Sequence, residues 1–377
     1  GIGACMLGYA DPDVNKAVKA AIDRGSCSTL NPPEEVELAE LLIQIHPWAE
    51  MVRYARAGGE AMAMAVRIAR VSTGREKVAF CGYHGWADWY LAANLADDKA
   101  LDGHLLPGLD SAGVPRGLAG TMLPFHYNAI DELEALVKEH GKEIGVIVME
   151  PMKGQEPKDD FLQKVRAIAD RIGAVLIFDE ITVGFKITYG GAHMKYGVYP
   201  DIAVFSKAMS NGFPMAAIIG RRDVMNAAQS SFISSTMWSE STGPAAALAT
   251  IKKMKKIGLA KHLDHVGTEV RKGWMSAAAK HGLTIKIAGV VPISSFAFEY
   301  GDESQAIKTL FVQEMLDRHF LAPTMCFASY AHTDAHIRKY VKAVDEVFAV
   351  IKDAIDTGTV RARLRGPIAH TGFARLN

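Results

Sequence analysis

From Gly145 onward the chain alternates short apolar runs with amphipathic segments, and this alternation limits the folds open to it more than any other feature. Val146 to Met149 reads as a buried strand that ends in Glu150-Pro151. Phe161, Val165, Ile168 and Ile172 recur at helical spacing up to Gly173, and Val175 to Phe178 is the next strand. Ile202 to Phe205 follows as another, after Pro200-Asp201. Strands that alternate with helices need crossover connections, so an α/β fold with a mainly parallel sheet is expected. Ligands of such sheets bind outside the carboxyl ends of the strands. Here those ends carry Asp179 and Glu180 after one run and Ser206-Lys207 after another, which places a carboxylate and an amine in one crevice. That pairing suits pyridoxal phosphate (PLP): the lysine would form a Schiff base with its aldehyde, and the carboxylate would hold its pyridine nitrogen protonated.

The earlier part of the chain fits the same scheme. Asp11 to Arg24 and Glu34 to Ile45 read as helices closed by Gly25 and Pro47. Met51 to Tyr54, then Gly58-Gly59, then Glu60 to Val71 reads as strand, glycine turn, helix, where backbone N–H groups can approach an anion. A Gly-Gly pair is equally an ordinary turn, and the spacing of a P-loop or a full G-x-G-x-x-G is absent. Tyr83, His84, Gly85 and Trp86 follow the run Val78 to Phe80, where an aromatic ring could stack on a flat heterocycle or simply join the core. Lys153, Lys186 and Lys195 also lie nearby; the order Pro200-Asp201, strand, Ser206-Lys207, Asn211-Gly212-Phe213-Pro214 is what selects Lys207. After about Ile257, helices mix with shorter strands such as Ser294 to Phe298, as in a second, α+β domain. Ile337 to Ile355 is an amphipathic packing helix.

Lys plus Arg equals Asp plus Glu at 42 each in 377 residues, so no overall field draws the protein to nucleic acid or to an acidic membrane. No apolar run approaches a membrane span and no secretory signal opens the chain, so a cytoplasmic protein is expected. Cys5, Cys27, Cys81 and Cys326 are scattered, without metal-ligand spacing, and read as reduced thiols; no metal is expected.

Taken together in order, Ala57-Gly58-Gly59-Glu60-Ala61, Tyr83-His84-Gly85, Glu150-Pro151, Asp179-Glu180-Ile181, Pro200-Asp201-Ile202 with Ser206-Lys207, and Ser235-Thr236 before Gly243-Pro244-Ala245 resemble the class III, fold-type I PLP-dependent aminotransferases. Within them the chain is similar to the branch of glutamate-1-semialdehyde aminomutase, from Gly1 to about Asn377 and most strongly from Met51 to Ala249. The resemblance implies a large domain, residues 31–257, with a mainly parallel seven-stranded sheet flanked by helices. It also implies a small C-terminal domain, residues 258–377, to which residues 1–30 belong as a segment that looks truncated. It implies Lys207 as the Schiff-base lysine and Asp179 as the partner of the pyridine nitrogen. Gly58 and Gly59 would bind the phosphate, Tyr83 would stack on the ring, and Ile181 would pack on its other face. His84 and Glu150 would stand at the ring edge or behind it, and Trp86 would form a pocket wall. Thr236, with Ser235 beside it, would reach the phosphate of a neighbouring subunit, which requires a homodimer with its site at the interface.

The chain also departs from the family pattern. Ala57 and Gly59 stand where the family commonly has hydroxyl or amide side chains, which leaves backbone donors for the phosphate; the stretch from Thr236 to Pro244 is longer than usual; and the family's N-terminal strands are absent from this numbering. The activity implied is ping-pong transfer of an amino group from an amino donor to a carbonyl acceptor. The alternative is a 2,1-aminomutase on the same scaffold; the loop Ser210 to Pro214 and Trp86 differ from what the aminomutases carry there and favour the transaminase. A dinucleotide-dependent oxidoreductase lacks its glycine fingerprint, and a noncatalytic binding protein sits poorly with both Lys207 and Asp179. Ser329, Tyr330 or His332 could line the pocket mouth, while His370 and Arg375 carry no role.

Overall fold

The computed structural model describes residues 2–105 and 107–371; Arg375 lies outside them. Seven strands make the main sheet: β1 (Met51–Ala55), β2 (Lys77–Cys81), β3 (Met122–Pro124), β4 (Ile144–Met149), β5 (Val175–Asp179), β6 (Ile202–Phe205) and β7 (Ala216–Gly220), in the order β1-β7-β6-β5-β4-β2-β3. β2 to β6 pair in parallel with β3 on the outer edge, and β7 runs antiparallel to both β1 and β6. Every residue of β4, β5, β6 and β7 is buried, which is why these segments read as continuous apolar runs rather than alternating ones.

The helices that cover the sheet follow from the apolar periods. Among α1 (Pro12–Arg24), α2 (Pro33–Ile45) and α3 (Gly58–Thr73), α3 lays Val66, Ile68 and Ala69 against Val78, Val148, Ile177 and Val204. Short α4 (Asp88–Leu91) precedes α5 (Ile130–His140) and α6 (Phe161–Ile172), and α6 packs Phe161, Val165 and Ile168 on the opposite face against Ile147, Leu176 and Phe178. Gly173 ends α6 at φ 63, a left-handed cap that favours glycine. α7 (Ala192–Tyr196) and α8 (Arg222–Met225) are single turns.

Two boundaries differ from the sequence reading. Pro33 opens α2 instead of preceding it, because the first helical position needs no N–H donor. α3 begins at Gly58 rather than Glu60, so both glycines belong to its first turn.

The long helices α9 (Thr242–Ile257) and α10 (Leu259–His281) lead to a small antiparallel sheet, β8 (Ile285–Val290), β9 (Ile293–Phe298) and β10 (Met325–Phe327), in the order β10-β9-β8. α11 (Ser304–Asp317) and α12 (Asp334–Asp356) complete it, and Trp274, Phe296, Phe298, Phe311 and Phe348 form its aromatic core. The first residues of the chain fold back onto the loop after β6. Leu7 N donates to Asn211 Oδ1 at 2.9 Å, Asn211 Nδ2 donates to Gly8 O at 3.0 Å, and Tyr330 N donates to Met6 O at 2.8 Å.

Register brings the chemistry-bearing residues into one row. Cys81 stands beside Met149, Met149 beside Phe178, and Asp179 beside Val204. The residues that leave those strand ends are Gly82 to His84, Glu150, Glu180 to Thr182, and Ser206-Lys207. No helix of the described residues is long and apolar enough to cross a membrane.

Candidate active site

Asp179 closes β5 with 3 % of its surface exposed. Its Oδ2 accepts from His84 Nδ1 at 2.8 Å and its Oδ1 from Ile181 N at 3.0 Å, while His84 Nε2 lies 3.1 Å from Cys81 O. His84 is its ion-pair partner among the described residues. A carboxylate withdrawn from water but so lightly compensated can accept another donor. Glu150 stands close by: burial, and then the charge of Asp179, push its carboxyl up to about 7, against the opposing pull of His84 and Lys153. Tyr83, 36 % exposed, meets Tyr90 edge-on at 5.8 Å, and burial with the nearby Asp179 charge raises its hydroxyl pKa.

Lys207 begins a 3₁₀ turn directly after β6 and Ser206, at φ 45. A side chain held in the left-handed region is strained unless its surroundings fix it, and such strain gathers at functional sites. Lys207 Nζ donates to Thr182 Oγ1 at 3.0 Å. Thr182 also offers its carbonyl oxygen to Lys186 Nζ, so one residue serves two lysines. Lys186 is fully buried, and burial together with the Lys207 charge holds it well below an ordinary lysine, Glu180 opposing. The remaining competitors stand elsewhere: Lys195 pairs with Glu156 at 2.6 Å, and Lys153 reaches Gly103 O at 3.4 Å. Thr182 escaped the sequence reading, and Lys186, named there only as a rival lysine, was not expected to share a partner with Lys207.

The first turn of α3 lies beside this row. Ala61 N bonds to Ala57 O at 3.0 Å, so the amides of Gly58, Gly59 and Glu60 have no acceptor within the helix, and Ala57 supplies no side-chain cap. A Cβ on Gly58 would lie 3.0 Å from Ile181 Cδ1, and one on Gly85, at φ 103, would lie 3.1 Å from Gly59 Cα. Free amides at the positive end of a 16-residue helix make a cradle for an anion, and glycine keeps it open. With the buried carboxylate, the lysine amine and the half-exposed Tyr83 ring, these residues fit a group that carries a phosphate, a basic ring nitrogen and an aldehyde.

No hydrogen bond or ion pair joins Trp86, Ser235 or Thr236 to Lys207 among the described residues. Trp86 is 77 % exposed and shares a cleft of about 680 Å³ with Phe232, itself 89 % exposed. Ser235 Oγ accepts locally from Met237 N at 3.2 Å, and Thr236 is exposed. This segment is held from α3's side by Arg56, whose Nη2 donates to Met237 O at 2.6 Å, Trp238 O at 3.1 Å and Glu240 O at 3.0 Å, a role that sequence reasoning missed. Ser329 N donates to His332 Nδ1 at 3.2 Å, and with Tyr330 this turn meets the N-terminal residues. His370 is described and exposed, with no contact that assigns it a role.

A mainly parallel seven-stranded sheet with a small antiparallel sheet beyond it is the architecture of the fold-type I PLP transferases. The sequence profile "Aminotransferase class-III" matches residues 1–321. The glutamate-1-semialdehyde 2,1-aminomutase of Roseiflexus castenholzii is 33 % identical over 379 residues, covering 94 % of this chain and 86 % of that protein. Among solved structures, the FumI protein of Sphingopyxis sp. MTA144 superposes with a TM-score of 0.85 at 22 % identity (94 % of this chain, 84 % of that one), and an omega-transaminase from Sphaerobacter thermophilus with 0.82 at 24 % (93 % and 85 %). The chain belongs to the class-III aminotransferases. It is a PLP-dependent transaminase-family enzyme, acting on amino and keto substrates.

Proposed function

We propose that Lys207 Nζ carries the cofactor covalently and, once released, moves the proton at the amino-bearing carbon of the substrate, so that an amino group passes from an amino donor to a carbonyl acceptor in a ping-pong cycle. PLP, when bound, supplies an electrophilic carbonyl and an electron-accepting ring. The Asp179 carboxylate would hold the ring nitrogen charged. Gly58 and Gly59 hold the phosphate with backbone amides, Tyr83 stacks on the ring, and Ile181 packs on its other side, already fixed against Gly58. His84 orients Asp179; Glu150 sits at the ring edge. Thr182 Oγ1 orients Lys207 Nζ. The observation that carries this reading is the juxtaposition of a buried, lightly paired Asp179 with a strained Lys207 on neighbouring strand ends.

A homodimer belongs to the proposal, with Ser235 and Thr236 reaching the partner's phosphate and Trp86 forming a wall of its pocket. Its support is the exposure of Trp86 and Phe232 around one cleft beside α3, since large exposed apolar patches mark interaction surfaces. We also place residues 31–257 in a large domain and 258–377, with 1–30, in a small one: the seven-stranded sheet lies within 51–220 and the small sheet within 285–327. A cytoplasmic setting accords with four free cysteine thiols.

The second reading, a 2,1-aminomutase, is favoured by the curated relative at 33 % identity that carries that name. The experiment that separates the two supplies holoenzyme with glutamate-1-semialdehyde alone and follows the products by mass and chromatography. Amino transfer between molecules, even with the substrate's own aldehyde as acceptor, gives products of changed mass. Sustained conversion to an isomer of unchanged mass, with no acceptor present, establishes the aminomutase.

A further inference from the structure

Several charged residues unused by amino transfer surround a cavity of about 400 Å³, enclosed by the loops after β4 and β5, the helix α10 and the β8–β9 hairpin. Its walls carry Glu156, Lys195, Lys261, Asp264 and Arg271, with Lys186 behind them; neither Lys207, Asp179, His84 nor Gly58 reaches it. Glu156 is already engaged, at 2.6 Å from Lys195 Nζ and 3.2 Å from the Tyr196 hydroxyl, so this pair cancels.

Arg271 is differently placed. Its Nε donates to Ser294 Oγ at 2.6 Å and its Nη2 to Gly289 O at 2.6 Å, which locks the guanidinium onto the hairpin. Both acceptors are neutral, and among the described residues no carboxylate pairs with it. Burial pulls its pKa down, and the more distant Asp264 only partly opposes this. A preorganised, half-buried guanidinium without a carboxylate partner, whose Nη1 makes no hydrogen bond among the described residues, is the kind of donor that takes up an oxyanion. Lys261, exposed on the same helix and also without an ion-pair partner among the described residues, adds a second positive charge at the cavity.

We propose that this cavity is a second binding site, for a small dianion (a dicarboxylate or a phosphate), anchored on Arg271 and Lys261 and separate from the Lys207 crevice. The ligand would bridge the elements that carry the two sheets. It would also lie two residues from the reacting lysine, because Lys186 backs the cavity and shares Thr182 with Lys207. Occupancy there gives the enzyme a route for a small metabolite anion to act on the site without entering it.

The test is calorimetric titration of the holoenzyme, its cofactor site filled, with succinate and in parallel with inorganic phosphate. Wild type and the Lys207→Ala variant, both titrated in the presence of saturating PLP, should bind one equivalent saturably and alike. Lys261→Glu and Arg271→Gln should each weaken binding about tenfold or more, since a charge-assisted contact is worth at least one factor of ten. Lys261 is exposed, so its variant remains decisive if Arg271→Gln disturbs the hairpin. Binding of succinate alone makes the ligand a dicarboxylate; binding of phosphate alone makes it a phosphate. The proposal is overturned if neither anion binds saturably, if Lys261→Glu binds as wild type does, or if binding disappears with Lys207→Ala while both charge variants keep it. That last pattern would place the anion in the amino-transfer site and leave the PLP reading standing.

Discussion

Asp179 keeps its carboxylate at the end of a fully buried strand, with one imidazole and one amide as its partners. Replacing it with Asn preserves shape but removes the charge proposed to face the ring nitrogen; kcat should fall about 10²–10³-fold while the protein still folds, and near-wild-type turnover would show that this charge is not used. Lys186 makes a different prediction, in stability. Its folded pKa lies well below 10.5, so between that lowered value and 10.5 the unfolded chain holds a proton that the folded chain does not. Stability attributable to Lys186 therefore rises with pH up to about 10.5, with a limiting slope of about 1.4 kcal/mol per pH unit. Denaturant titrations from pH 7 to 10 should show the wild type gaining on Lys186→Met; parallel curves would mean that Lys186 is charged in the fold. Asp179 and Lys207 were legible in the sequence because each closes a continuous apolar run, Asp179 directly and Lys207 after Ser206, and a strand end has a known direction. Thr182 and Lys186 were not, because their approach to Lys207 depends on how an irregular loop closes, and no periodicity records that.

At the scale of elements, the α3 first turn is the feature most open to perturbation. Gly85 stands at φ 103 with its missing Cβ pointing at Gly59, so Gly85→Ala both strains its own backbone and presses on the cradle. The apparent Kd for PLP, measured by absorbance titration, should rise about tenfold. Gly74→Ala is the control: it too has a positive φ, 64, but nothing lies within 4 Å of its Cβ position, so it should lose stability without losing cofactor affinity. Equal effects at both positions would remove the cradle from the argument. The strands β4 to β6 could be read from sequence because burial on both faces leaves uninterrupted apolar residues. The antiparallel direction of β7 could not, since it depends on the tight return through Asn211 and Gly212, whose φ values of 49 and 101 are properties of the folded loop.

For the whole molecule, the exposed aromatic cleft beside α3 and the row of strand ends belong to one account. If Phe232 is buried between subunits, Phe232→Glu should shift the protein from dimer to monomer in sedimentation experiments and weaken cofactor retention with it; a monomeric wild type, or a variant dimer indistinguishable from it, would detach Ser235 and Thr236 from the site. The proposed assembly came from the resemblance, because one chain's sequence does not say which of its exposed residues meet another copy. The central claim is that Lys207, among the lysines that cluster here, carries the cofactor. Borohydride reduction of the holoenzyme followed by peptide mass analysis tests it most directly. The account predicts a phosphopyridoxyl group fixed on Lys207, with Lys186 in its buried position unmodified; the label on Lys186, Lys153 or Lys195 with Lys207 unmodified would contradict it.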